Sequence, residues 1–327
     1  MIDQPRRAVI LLAFFVIAIL FPYLMRVCGQ EYFIGLASRM LIYGIAATSL
    51  NFILGYGGMV SFGHAAFLGV GAYVAAILVV SGWSSALLAW PVAMVVSAAV
   101  AFLIGLITLR TKGVYFIMIT LAFAQMLYYV TISMKAYGGE EGLNVPRPSI
   151  PWLNLESDTE FYYVAFVLVC AIIYLMHRVI NARFGRVLMA ISENEVRMQA
   201  LGYKTMHYKL IAFVLAGTIA GLAGALLAAQ NSFVNPSIMH WTSSGLLLFM
   251  VILGGVRSKY GGLIGAIAFL GLEDFAVNIQ IDWLANWYPS YSQHAMLLVG
   301  LVLLIVVLFS PRGIVGFFAN RGGHVHE

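Results

Sequence analysis

Apolar residues in this chain come in unbroken runs about as long as a bilayer is thick, and that leaves few folds open to it. Runs of roughly 18 or more such residues are the signature of membrane-spanning helices. Backbone amides in hydrocarbon must be satisfied within one segment or around a closed barrel, and the strands of a barrel would alternate apolar and polar residues. The runs here do not alternate. Of 327 residues, 62% are hydrophobic and 9% charged, where a soluble domain carries about a quarter charged. The expected fold is an all-α, polytopic integral membrane protein, with residues 1–327 forming a single transmembrane domain.

About ten transmembrane helices are expected, near residues 8–25, 33–54, 59–80, 86–109, 114–134, 161–180, 210–229, 243–255, 261–279 and 294–309. The third is glycine-rich and holds His64, so it is open to being broken or partly re-entrant, and the eighth is short for a full crossing. The first run follows Arg6 and Arg7 as a signal peptide's would, but its length and the lack of a small-x-small cleavage site favour a retained helix. With both termini cytoplasmic, inner loops receive Arg110, Lys112, Arg257, Lys259, Arg312 and Arg321. Outer loops receive Glu31, Glu140, Glu141, Glu156, Asp158, Glu160 and Asp282, with Arg26, Lys135 and Arg147. That partition obeys the positive-inside rule. Trp83, Trp90, Trp152, Trp241, Trp283 and Trp287 fall near outer span ends, where an indole keeps its ring dry and its N–H wet. The net charge of +5 therefore reports topology; no basic stripe with interleaved aromatics points to nucleic acid.

Two loops stand out. Residues 135–160 carry Gly138-Gly139, Gly142, Pro146, Pro148 and Pro151 and form the one sizeable extracytoplasmic segment. Residues 183–209 are a charged island with Arg183, Arg186, Glu193, Glu195, Arg197, Lys204 and Lys209. The island also carries helix formers and stops at Gly202, which suggests a short amphipathic helix at the cytoplasmic surface. Such a helix could lie on anionic lipid or enter a groove on a soluble partner.

The segment Gly55-Tyr56-Gly57-Gly58-Met59-Val60-Ser61-Phe62-Gly63-His64-Ala65-Ala66-Phe67, followed by Gly69-x-Gly71-Ala72-Tyr73, resembles the signature of the branched-chain amino-acid ABC transporter permeases, specifically the LivM-like subunit. Gly138-Gly139-Glu140-Glu141-Gly142-Leu143 is similar to that family's outer-loop glycine cluster, and Phe184-Gly185-Arg186 through Gly202 to its cytoplasmic loop. Tyr208-Lys209-Leu210-Ile211-Ala212-Phe213 and the pairs Gly254-Gly255 and Gly261-Gly262 follow in the same order. The resemblance implies a type II-importer-like permease in a bacterial inner membrane, translocating hydrophobic amino acids or a related small polar solute. It implies a second homologous permease subunit, two cytoplasmic ATPase subunits that bind ATP and Mg, and a periplasmic substrate-binding protein. On this resemblance the stretch 190–202 is the coupling helix, with Arg186, Ala190, Glu193, Glu195, Arg197 and Gly202 meeting the ATPase and Ile191, Val196 and Leu201 forming its apolar ridge.

Candidates for the translocation path are Ser61, His64, Glu273 and Asp274, since ionisable groups within spans are functional candidates by default. His64 is expected to hydrogen-bond the unwound backbone around Gly63 rather than to touch substrate, whereas Glu273 and Asp274 either line a cavity or mark a span's outer edge. Asn51 and Gln125 are expected to bond between helices. Gly217, Gly221 and Gly224 share one face of the seventh span and suit close helix packing, within the subunit or across a dimer seam. Cys28 and Cys170 lie too far apart in character and sequence to suggest a disulfide or metal site, and no cofactor is expected in this chain. No phosphate loop, H-E-x-x-H or nucleophile elbow occurs, so no catalytic residue is assigned. The alternative function is a proton-coupled secondary transporter acting alone through His64 with Glu273 or Asp274.

Overall fold

The computed structural model describes residues 17–278, 300–301, 304 and 313–319. Helices dominate it: α1 (Ile17–Val27), α2 (Tyr32–Asn51), α3 (His64–Val80), α4 (Ala86–Thr108), α5 (Val114–Ser133) and α6 (Asp158–Asn181) lead to α7 (Arg183–Glu193) and α8 (Glu195–Ala200). Then come α9 (Thr205–Asn231), α10 (Trp241–Gly254), α11 (Gly261–Asn278) and α12 (Gly313–Ala319). A π-helical turn, Phe52–Tyr56, extends α2. Among the described residues five helices are long and apolar enough to cross a membrane, counting α2 with its π-turn, α4, α5, α6 and α9. The second to ninth expected spans each meet a helix; the start of the first and nearly all of the tenth lie outside the described residues.

The two doubtful spans are short for identifiable reasons. Helix α3 begins only at His64, because Gly58 turns with φ +67° and Met59–Gly63 stays non-helical. Helix α10 has 14 residues and stops where Gly255 takes φ +115°. At 1.5 Å per residue that is about 21 Å, less than the hydrocarbon thickness. A 3₁₀ turn, Pro236–Met239, lengthens it at the other end.

Helix α9 is the hub. Of its most apolar stretch 72% is buried, against 22% for α5, whose Tyr115, Met118 and Tyr129 are left on the surface of the subunit. It packs most extensively on α3 and α4. Glycines permit this: a Cβ on Gly217 would stand 2.5 Å from the Ala101 methyl of α4, and one on Gly221 would strike the Ser97 side chain. A Cβ on Gly224 would collide with the Leu68 carbonyl of α3, and one on Gly71 with the backbone of Gly221. All of these neighbours belong to the same chain, so the glycine face of α9 is occupied by its own subunit.

Loop contacts sort the chain into two faces. On one, β1 (Leu143–Asn144) pairs antiparallel with β2 (Phe233–Val234), Ser149 N–H donates to Ser84 O at 2.7 Å, and Arg26 reaches Thr159 at 3.3 Å. Arg147 braces this cap, donating to the carbonyls of Leu155 and Glu156 at 3.1 and 2.9 Å and to Asp158 at 2.6 Å. Trp83, Trp152 and Trp241 are exposed here, but Trp90 is buried with its indole N–H unpartnered. That departs from the interfacial position expected of it, because α4 turns this side chain toward the bundle. Trp283 and Trp287 lie outside the described residues. The opposite face collects the charged island and the loops carrying Gly57, Lys112 and Arg257.

The glycine contacts generate a paired prediction. Gly224→Ala should destabilise the subunit by about 1–3 kcal/mol through overpacking. Gly245→Ala in α10, where a Cβ meets nothing within 4 Å, should be neutral or slightly stabilising through helix propensity. Thermal unfolding of the two variants in detergent checks this, and equal midpoints would remove the case for backbone contact.

Candidate functional site

Charge on the island face is arranged around one carboxylate. Glu195, at the start of α8, receives Lys112 Nζ at 2.6 Å and Lys209 Nζ at 2.8 Å, while Thr205 Oγ1 donates to it at 3.2 Å. Gln199 in turn donates to Thr205 at 3.1 Å. The network ties α8 to the α4–α5 loop and to α9. Burial by itself would raise the Glu195 pKa, but hydrogen bonds and charge from Lys112 and Lys209 outweigh it and hold the carboxyl below its ordinary value.

The neighbouring loops are pinned as firmly. Asn51 Nδ2 donates to Ser258 O at 2.7 Å, and its Oδ1 accepts from Arg257 N at 3.1 Å. Tyr56, in the π-turn, donates to Arg257 O at 2.8 Å. These bonds hold Arg257 at φ +68°, a conformation costly to a residue with a Cβ. Its guanidinium reaches Glu193 at 3.6 Å. Gly58 lies against Ser192, where a Cβ would stand 3.1 Å from the serine Cβ. Between these pieces sits a cavity of about 240 Å³, bordered by Gly58, Lys112, Phe116, Ser192 and Glu195.

The island is two helices rather than one. Asn194 breaks it with φ −153° and caps α8 by accepting from Arg197 N at 2.9 Å, which is the usual work of an N-cap asparagine. Gly202, at φ +86°, turns the chain back toward α9. Arg186, Glu193, Arg197 and Gly202 are exposed, Ala190 is half-buried, and Glu195 faces into the chain. Of the expected apolar ridge, Ile191 is buried within the subunit, whereas Val196 and Leu201 are 70% and 66% exposed.

The motif around His64 forms an unwound entry to α3. The hydroxyl of Ser61 accepts from Gly63 N at 3.2 Å, and that of Ser244, in α10, accepts from Ala65 N at 3.0 Å. His64 itself, fully buried, bonds Ser49 of α2 through Nε2 at 2.7 Å, and its Nδ1 has no partner. Serines therefore take one amide of the unwound segment and one of the first turn of α3, and the histidine ties α3 to α2. Asp274, at the far end of α11, accepts from Tyr32 at 2.6 Å, while Glu273 is half-buried beside it. Ser61 and His64 thus lie near one face and Asp274 near the other. Gln125, expected to bond between helices, has a buried Nε2 with no partner among the described residues. Among the described residues no group of three potential metal ligands occurs.

Arg39 went unnoticed in the sequence, yet it lies within α2 and is exposed, with its guanidinium 5.8 Å from the centre of the Tyr43 ring. The available signal was a single arginine inside an otherwise uncharged expected span.

Multiple lipid-length helices, a charged face assembled from several loops and an unwound serine-bonded segment inside the bundle define a multi-pass membrane protein. A family model described as the permease component of a branched-chain amino acid transport system matches residues 32–308. The chain belongs to that family. It is 25% identical to the high-affinity branched-chain amino acid transport system permease protein LivM of Salmonella typhimurium, across 94% of this chain and 75% of the relative. It is 24% identical to the probable LivM of Methanocaldococcus jannaschii, over 84% of this chain and 90% of that one. The autoinducer 2 import system permease protein LsrC of Yersinia pseudotuberculosis is 27% identical over 56% of this chain and 51% of its own length. No solved structure matches the chain.

Glu195→Gln tests the network. The folded-state pKa of Glu195 lies below its ordinary value of 4.5, so its stabilisation is complete above that pH and is lost as pH falls through the folded value. At neutral pH the variant should be less stable by about 1 kcal/mol, since Lys112 is well exposed and its share is screened. The difference from the parent protein should vanish in acid. Melting curves at a series of pH values measure it, and a gap that widens on acidification would contradict the assignment.

Proposed function

We propose that this chain is one translocation-pore subunit of an ABC importer in a bacterial inner membrane. It works beside a second homologous permease, above two cytoplasmic ATPases that bind ATP and Mg, and receives its solute from a periplasmic binding protein. The cargo is a branched-chain or other hydrophobic amino acid or a related small solute. Family membership over most of the chain supports the transport role.

The observation that carries the coupling role is the pair Val196 and Leu201, exposed on and just after a short helix whose other side is fastened by Glu195. An apolar pair on a charged face needs a groove to bury it, and the exposed Arg186, Glu193 and Arg197 around it supply register. Because Lys112 and Lys209 anchor α8 to the helices behind it, a push on α8 is passed to α9 and thence to α3 and α4. An ATPase can bias the permease only by binding its two arrangements with different affinity. The island, on this reading, is the cytoplasmic coupling loop, and residues 135–160 are the periplasmic cap.

The test is the full importer in proteoliposomes. ATP-dependent uptake of labelled leucine should appear only with all subunits present. The double variant Val196→Asp, Leu201→Asp should cut uptake at least about tenfold, the loss expected when an apolar anchor worth 1.4 kcal/mol or more is removed from an interface. The variant's melting point should stay unchanged. Solute movement by this chain alone, or full uptake by the double variant, would sink the proposal.

A further inference from the structure

Arg39 sits seven residues beyond Tyr32, the first residue of α2, or about 10 Å along the helix axis. Hydrocarbon solvates a guanidinium poorly, so an arginine at such depth lines a wet cavity or meets a countercharge. Among the described residues no carboxylate pairs with it. Nor does it snorkel toward the nearer surface: its guanidinium lies over Tyr43, one turn further into the helix.

Two separate cavities lie along α2 here, with no lining residue in common. One, of about 340 Å³, is bordered by Arg39 together with Glu31, Tyr32 and Gln230. The other, of about 160 Å³, lies deeper and is bordered by Tyr43 with Ser237 and Ser243. Gln230 contributes an unused group: its Nε2 donates weakly to Gly35 O at 3.4 Å, and its Oε1 is buried with no partner. Glu31 is exposed at the mouth, beside the loop face that carries the cap. The larger cavity therefore brings together the Arg39 cation, the carboxylates of Glu31 and Asp158, the latter already paired with Arg147, and the spare Gln230 acceptor.

We propose that the cavity bordered by Arg39 forms a station on the translocation path that selects for a carboxylate-bearing solute, and for an amino acid in particular. The planar guanidinium of Arg39 would take the carboxylate through paired N–H bonds. Glu31 and the Gln230 oxygen would take the ammonium, and the side chain would lie toward Tyr43. Neutral cargoes such as urea or a simple amide leave Arg39 without an anion, and the station disfavours them. This inference rests on the permease reading and narrows its cargo.

Arginine labelling tests it on the assembled importer in nanodiscs. Phenylglyoxal should modify Arg39, read as a mass adduct on its peptide. Millimolar L-leucine or isovalerate should slow that modification by at least about threefold, as two-thirds occupancy requires, and isovaleramide should not. In the same complex Arg39→Gln should raise the KM for leucine uptake more than it lowers kcat, with Arg39→Lys restoring part of the loss. An Arg39 that reacts in the isolated subunit but is shielded in the complex without solute would mean that the second permease supplies its countercharge, and the inference fails. Equal protection by isovaleramide, or none by leucine and isovalerate, also overturns it. Absent ATP-dependent uptake by the parent complex counts against the importer reading instead, and the labelling pattern is read regardless of uptake.

Discussion

Direct backbone contact between α9 and its neighbours is the interaction on which the rest of this fold depends. In lipid no hydrophobic force gathers helices, so the bundle must be held by close van der Waals packing and a few buried hydrogen bonds. Gly71 of α3 against Gly221, and Gly224 against Leu68, bring two helices to backbone distance, and Gly217 admits α4 through Ala101. Two neighbouring helices are bonded to this centre. Helix α2 adds the Ser49–His64 bond, and α10 adds the Ser244 hydroxyl on Ala65 N–H.

That rigid centre has consequences for its polar margin. The non-helical stretch Met59–Gly63 and the first turn of α3 leave amides that lipid cannot satisfy, and Ser61 takes that of Gly63 while Ser244 takes that of Ala65. On the island face the same economy of partners appears in ionic form. One glutamate draws lysines from the α4–α5 loop and from α9, while Asn51 and Tyr56 hold the Arg257 loop. The apolar pair Val196 and Leu201 is thereby presented on a helix that cannot easily tilt without disturbing α9.

Much of this was legible in the residues. Apolar run length located α2 to α6 and α9 to α11, and the spacing of Gly217, Gly221 and Gly224 marked a face made for close approach. The glycines before His64 and the short eighth span flagged two irregular segments, which proved to be a late helix start and a 14-residue helix. Other features were hidden. The family resemblance put Ile191, Val196 and Leu201 on one coupling helix, and it does not register the break at Asn194, where side-chain capping competes with helix continuation. Trp90 was expected at the interface because composition locates a residue along a span but not around it. His64 was paired with its own loop, although its partner, Ser49, lies on another helix.

The sequence by itself determined the solvent, the class of secondary structure and the partition of charge between loops, since each follows from the local cost of exposing backbone or charge to hydrocarbon. Tertiary structure alone decided which polar groups meet. Glu195 with Lys112 and Lys209, Asn51 with the Arg257 loop, and Arg39 beside Gln230 are brought together by helices distant in the chain. Hydrogen bonds and ion pairs act over about 3 Å, and no local pattern of residues specifies a distance that small between segments that only packing makes neighbours.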